Sequence, residues 1–236
     1  WDTEPVKALD LFAMCVPAAI ADHPAVAAMR LGVEERIPQL KSWEDYQRVY
    51  AEIPEETYHG EARAEAVRSL GRARAVREWA EKLPKDGPPV AVCAIGLQDG
   101  VIEGDVLAAC PRIHMTGCDV APQASRGIKA LQGRFPDRVA WHAIADDHYD
   151  WSAGPYDAVI MYEVLEHVPD DSIAIAKLRR MLRPDGVLFL STPSAAHWVE
   201  SYNTDPEKRQ AHAWHVRAHN PTSLWRLLRA HGFDGE

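Results

Sequence analysis

The sequence predicts an α/β fold: a Rossmann-like, doubly wound, mostly parallel sheet with helices on both faces, plus an N-terminal helical cap. Three observations predict it. After Pro89, short apolar runs of strand length alternate with segments of helical length. Runs such as Val90–Ile95 are apolar throughout, as strands covered on both faces are. Residues 1–85 carry helical texture and no strand pattern.

Each element follows in order. Val6–Met14 and Ala18–Met29 are Ala-rich and apolar, and Ser42 can cap a helix through Trp43, Tyr46, Val49 and Tyr50 before Pro54 interrupts. These segments form the expected cap or lid, residues 1–60. The remainder, 61–236, is the expected ligand-binding domain. A long amphipathic helix is expected from Glu61 to Leu83, with Ala66, Leu70, Ala73, Val76 and Ala80 near helical spacing and Gly71 as its weak point. The basic stretch Arg63–Arg77 within it is diluted by Glu61 and Glu65 and reads as a solvated helix face. Val90–Ile95 is the first strand and Gly100–Cys110 a helix. Ile113–Cys118 is the second strand, Pro122–Gln132 a helix and Val139–Ala143 a weaker third strand. Tyr156–Met161 is the fourth strand and Asp171–Leu182 a helix. Val187–Leu190 is the fifth strand, after a Pro184–Gly186 turn, and Thr222–His231 is a last helix stopped by Gly232.

Composition excludes several classes. The 236 residues are 47% hydrophobic and 26% charged, an ordinary globular mix. Net charge is −9, whereas a nucleic-acid grip shows a basic face, so nucleic acid is not the expected partner. The longest apolar run, Leu11–Ala21, contains Pro17 and falls short of the roughly 20 residues of a bilayer span, so no membrane partner is expected. Cys15, Cys93, Cys110 and Cys118 form no CxxC pair, which suits a reducing, cytoplasmic setting. The first residue is Trp, so a trimmed chain, or part of a longer multidomain chain, is expected.

The first strand-to-helix junction reads Ala94-Ile95-Gly96-Leu97-Gln98-Asp99-Gly100. Glycine there lets a ligand approach the backbone, and the helix start behind it offers unpaired N–H groups to a carboxylate. Asp119 follows the second strand, where an acid can accept both hydroxyls of a ribose. A dinucleotide site needs G-x-G-x-x-G, but Gln98 and Val101 stand at the later glycine positions. After the fourth strand, Glu163, Glu166 and His167 are spaced i, i+3 and i+4, one face of a helical turn. One of His212, His215 or His219 reaching that face would complete two carboxylates and two imidazoles, a set able to hold a divalent ion. His167 equally suits a general base without metal.

With these blocks in order, the chain resembles class I S-adenosylmethionine-dependent methyltransferases over roughly residues 60–235. The resemblance runs through Ala94–Gly100, Thr116–Pro122, Tyr156–Pro169, Leu182–Pro193, His215–Arg217 and Pro221–Phe233. It resembles the ubiquinone-pathway O-methyltransferase type and the methyltransferase-11-like families. It implies that Ala94, Gly96 and Gly100 line the methionine moiety. Asp119 holds the ribose, Val120 packs on the adenine and Asp146 meets its amino group, while Tyr162 and Glu163 close the cleft near the sulfonium. Small-RNA 3′-end 2′-O-methyltransferases, also similar, would place a metal (Mg or Zn) on Glu163, Glu166, His167 and His215. The implied function is O-methylation of a small molecule or glycan by in-line transfer, assisted by His167 as base or by that metal. The alternatives are a catalytically weak binding or assembly domain and an RNA ribose 2′-O-methyltransferase. Three departures bear on this: Ala94 where the family often has an acid, Gln98 where it often has a glycine, and a chain that stops at Glu236 before the two antiparallel strands usual there. Those strands are expected to be missing, disordered, or supplied by another copy in a homo-oligomer.

Overall fold

The structure, a computed structural model, describes residues 67–68, 70–120, 124–144, 149–195, 215 and 217–234. The expected cap, residues 1–60, lies outside the described residues. The elements are α1 (Gly71–Lys82), β1 (Val90–Ile95), α2 (Val101–Ala109), β2 (Ile113–Asp119), α3 (Ala124–Arg134), β3 (Val139–Ala143), β4 (Tyr156–Tyr162), α4 (Asp171–Met181), β5 (Leu182–Ser191) and α5 (Pro221–Ala230).

The described residues fall into two compact units, and the division lies within α4. One unit holds those within Ser42–Val164 and Lys177–Ser191, and thus the whole sheet with α1, α2 and α3. The other holds those within Leu165–Ala176 and Thr192–Glu236, including α5.

In the first unit the five strands pair in the order β3-β2-β1-β4-β5, all parallel. The order reverses between β1 and β4, so the crevice outside their carboxyl ends is where a ligand is expected. Ile95 pairs with Met161 at that end, which brings Gly96 and Tyr162 to the same rim. Alternate residues Val90, Val92, Ala94, Ile113, Met115, Ala158 and Ile160 join Ala73, Val76 and Ala80 of α1 and Ile102, Val106 and Leu107 of α2 in one core. The opposite face is buried too: Cys93, Ile95, Cys118, Val159 and Met161 are each at most 2% exposed. Burial on both faces is the reason Val90–Ile95 and residues 158–161 read as unbroken apolar runs.

Two expectations on element boundaries need correction. The helix expected from Glu61 to Leu83 does not run through position 70. Leu70 is extended (φ −66°, ψ 140°), and α1 starts at Gly71. Hydrophobic spacing continues across that break, so periodicity alone could not reveal it. β5 is longer than Val187–Leu190: its pairing with β4 steps from Tyr156↔Leu182 to Ala158↔Val187. Four residues of β5, 183–186, therefore lie opposite Asp157 alone, and the expected Pro184–Gly186 turn sits inside this bulge. Arg183 fastens it through Asp157, whose other carboxylate oxygen accepts the Ala91 N–H at 2.7 Å. Among the described residues β5 is an edge strand, and Val187 is exposed. No helix among them is long and apolar enough to cross a membrane.

Candidate functional site

At the carboxyl ends of β1 and β4 lies a cavity of about 530 Å³, counting its open mouth. Its lining includes Arg72, Gly96, Gln98, Asp99, Glu103, Tyr162 and Glu163. The loop from β1 is pinned at several points. Gly96 N–H donates to the Cys118 carbonyl at 2.8 Å, and Gln98 N–H donates to Asp119 Oδ2 at 3.1 Å. Gly96 (φ +74°) turns the chain, and an added Cβ would stand 2.2 Å from Val164 Cγ2. Gly127 of α3 serves close approach: a Cβ there would meet the Gln98 carbonyl oxygen at 2.7 Å. Gln98 and Glu163, both in the lining, hold positive φ of 51° and 55° without being glycine. Such positions cost of order 1–3 kcal/mol each and concentrate at functional sites.

Glu163 is held on three sides. Its N–H donates to the Ser191 carbonyl at 3.0 Å, while Ser191 Oγ donates to its carboxylate at 2.7 Å and Arg72 Nη1 lies 2.7 Å from the same oxygen. Tyr162 donates its phenol to the Arg72 carbonyl at 2.9 Å, and burial pushes that phenol's pKa well up, keeping it a neutral donor. Arg72 Nε is buried without a hydrogen-bond partner. Arg72 stands in the cavity wall, and a guanidinium there suits a carboxylate.

Of the residues expected to bind a cofactor, Gly96, Tyr162 and Glu163 come together in this cavity. Ala94 is fully buried within β1, and Gly100 caps α2 in the left-handed region (φ 73°) against Leu131. Asp119 ends β2 at 6% exposure and anchors the loop, and Val120 follows it half-buried. Asp146 lies outside the described residues. Arg72, Asp99, Glu103 and Gly127 were not singled out by the sequence. Asp99 Oδ1 accepts the Val101 N–H at 3.3 Å, closing the open end of α2.

In the second unit, Glu166, His167 and His215 place one ligand-type atom each within 4.8 Å of one another. Glu166 is 1% exposed; Thr192 Oγ1 donates to its Oε2 at 3.1 Å, and its Oε1 lies 3.9 Å from His167 Nε2 and 4.0 Å from His215 Nε2. The two imidazoles meet edge to face at 4.8 Å. Arg217 braces the turn that carries Glu166 and His167, donating to the carbonyls of Leu165 (3.0 Å), Val168 and Pro169. His219 does not join the cluster; it pairs with Asp171 at 3.1 Å. Burial alone would raise the Asp171 carboxyl, but the His219 hydrogen bond and the Arg217 charge outweigh it and hold the pKa below its usual value. Glu163, the fourth expected ligand, belongs to the first unit and is engaged by Ser191 and Arg72. His212 lies outside the described residues.

Comparison with known proteins converges on one family. Residues 67–236 match the family described as a methyltransferase domain. The chain is 32% identical over 102 residues to ubiquinone biosynthesis O-methyltransferase of Aromatoleum aromaticum, covering 43% of each chain. It is 54% identical over 81 residues to the protein of the same name from Xanthomonas oryzae, covering 34% of each. The matched stretch thus spans less than half the length of these relatives. Phosphoethanolamine N-methyltransferase 2 of Haemonchus contortus, solved with S-adenosyl-L-methionine, shares the fold at a TM-score of 0.52 and 16% identity, covering 70% of this chain and 37% of that one. A match across most of the chain, joined to the parallel sheet order and the glycine turn at its switch point, shows that the chain belongs to the methyltransferase-domain family of class I S-adenosylmethionine-dependent methyltransferases.

Proposed function

We propose that the chain transfers a methyl group from S-adenosylmethionine to an oxygen of a small molecule or glycan. The observation that carries this reading is the cavity at the β1–β4 switch point, with Arg72 in its wall. The residues fit the cofactor. Arg72 would take the methionine carboxylate, the Gly96 turn would let the backbone approach, and Asp119 would accept the ribose hydroxyls. When bound, the cofactor supplies an electrophilic methyl on a sulfonium. The protein's share of the work is alignment, which can supply much of the rate. His167 would accept the proton of the acceptor hydroxyl, with the Glu166 carboxylate, 3.9 Å away, stabilising the charge it gains. The oxygen acceptor rests on the names of the relatives, and the net charge of −9 argues for a small acceptor over RNA.

Calorimetry with S-adenosylmethionine, S-adenosylhomocysteine and NADPH tests the cofactor. Micromolar binding of the first two and none of the third is expected. No binding of either sulfur cofactor at millimolar levels would refute the enzyme and favour a binding domain. Tritium from the labelled methyl should then appear in small molecules of a cell extract, and label found only in RNA would reassign the acceptor.

The grouping of Glu166, His167 and His215 favours a second reading, in which the three hold a divalent cation. One carboxylate and two imidazoles suit zinc better than magnesium, which prefers oxygen donors. A bound cation would lower the pKa of an acceptor hydroxyl. After equilibration with zinc and dialysis, elemental analysis should give one equivalent in wild type and none in His215→Ala. Equal, negligible content in both would leave His167 as a base without metal.

A further inference from the structure

We infer that Glu103 is the counter-ion for the α-ammonium group of the bound cofactor's methionine moiety, an inference that rests on the reading of this cavity as a cofactor site. Glu103 lies in the first turn of α2, is 5% exposed and lines the cavity. A carboxyl in so dry a place needs a reason, because burying it costs heavily unless a partner repays the loss of water. The other carboxylates around the cavity have work already. Glu163 is bound by Arg72 and Ser191, Asp99 accepts the Val101 N–H, and Asp119 accepts the Gln98 N–H. Glu103 takes a hydrogen bond from its own backbone amide. The strand end offers no acid, since Ala94 and Ile95 close β1.

A methionine moiety brings three charged groups. Arg72 matches the carboxylate. The sulfonium has no hydrogen to donate, so it cannot repay a buried carboxylate by hydrogen bonding. The ammonium has three N–H donors and can. Of the acids in the lining, Asp99, Glu103 and Glu163, Glu103 is the buried one and gains most from receiving them.

The protonation state gives the inference its own signature. Burial raises the Glu103 pKa to about 8, with the negative charges of Asp99, Asp119 and Asp105 adding to the effect. Facing it from other elements are Arg72 of α1 and Tyr162 and Glu163 at the end of β4, all in the cavity wall. Empty, the site therefore holds a neutral carboxylic acid at pH 7. An arriving ammonium favours the ionised form, so binding must expel the proton.

Calorimetric titration of S-adenosylhomocysteine in phosphate and in Tris, whose ionisation enthalpies differ, counts that proton. Wild type should release about 0.9 proton per cofactor at pH 7, the protonated fraction of a group with that pKa. Its affinity should rise nearly tenfold from pH 6 to pH 7 and flatten above pH 8. Glu103→Gln, isosteric and uncharged, should bind at least tenfold more weakly at pH 8, release no proton and lose the pH dependence. Cofactor binding by wild type with no proton release, or an E103Q protein that binds with unchanged affinity and proton count, would overturn the inference alone. Absence of any binding by wild type would overturn the cofactor reading and this inference with it.

Discussion

Gly96→Ala should lower the thermal midpoint by roughly 10 °C and weaken cofactor binding at least tenfold, two effects with one cause. Gly96 has φ +74°, where an L side chain costs about 1–2 kcal/mol. The new Cβ would also sit 2.2 Å from Val164 Cγ2, a stiff β-branched neighbour, and relieving such overpacking typically costs about 1–3 kcal/mol more. Together that is about 2–5 kcal/mol, or on the order of 10 °C for a chain of this size. The loop would relax by shifting the Gly96–Gln98 backbone, which carries the bonds to Cys118 and Asp119. A double-mutant cycle with Val164→Ala separates the causes. Deleting Cγ2 should recover the steric part, giving a favourable coupling of about 1–3 kcal/mol, and leave the φ part in place. A G96A protein that melts with wild type and binds cofactor equally well would show that neither the turn nor the contact matters.

The legible part of this molecule is the part written in local pattern. Val90–Ile95 and residues 158–161 of β4 announce themselves because strand segments buried on both faces must be apolar at every position. Val139–Ala143 was weaker for the converse reason: β3 is an edge and no residue in it is fully buried. Asp119 and Gly96 could be found because a strand end followed by a loop fixes their place. Glu166 and His167 could be found from spacing, and His215 from the resemblance. What stayed hidden depends on partners far along the chain. Arg72 lay in a stretch that read as a solvated face, yet its guanidinium meets Glu163, 91 positions on. Glu103 looked like an ordinary acid near a helix start, where acids are favoured. Only the packing of β4 and α1 around it turns it into a buried group of the cavity. Gln98 was recognised as a departure from a glycine position, and the structure shows the consequence: it holds the positive φ that a glycine would adopt freely.

Arg72→Ala should weaken S-adenosylhomocysteine binding about 30- to 100-fold, in line with the roughly 1.5–3 kcal/mol of a charged hydrogen bond, and leave 5′-methylthioadenosine binding unchanged. The difference between the two ligands carries the argument, since methylthioadenosine keeps the adenosine and sulfur but has no carboxylate. The fold should tolerate the change. Tyr162 donates to the backbone carbonyl of residue 72, which alanine retains, and Glu163 keeps its bonds from Ser191. Arg72→Lys should fall between the two, because an ammonium restores charge but lacks the flat fork that serves Glu163 and a second carboxylate at once. Equal losses for both ligands would make Arg72 a structural prop of the loop. No loss for either would mean that the Arg72 guanidinium meets nothing the ligand brings, and the methionine end of the cofactor would have to be sought elsewhere along the rim of β1 and β4.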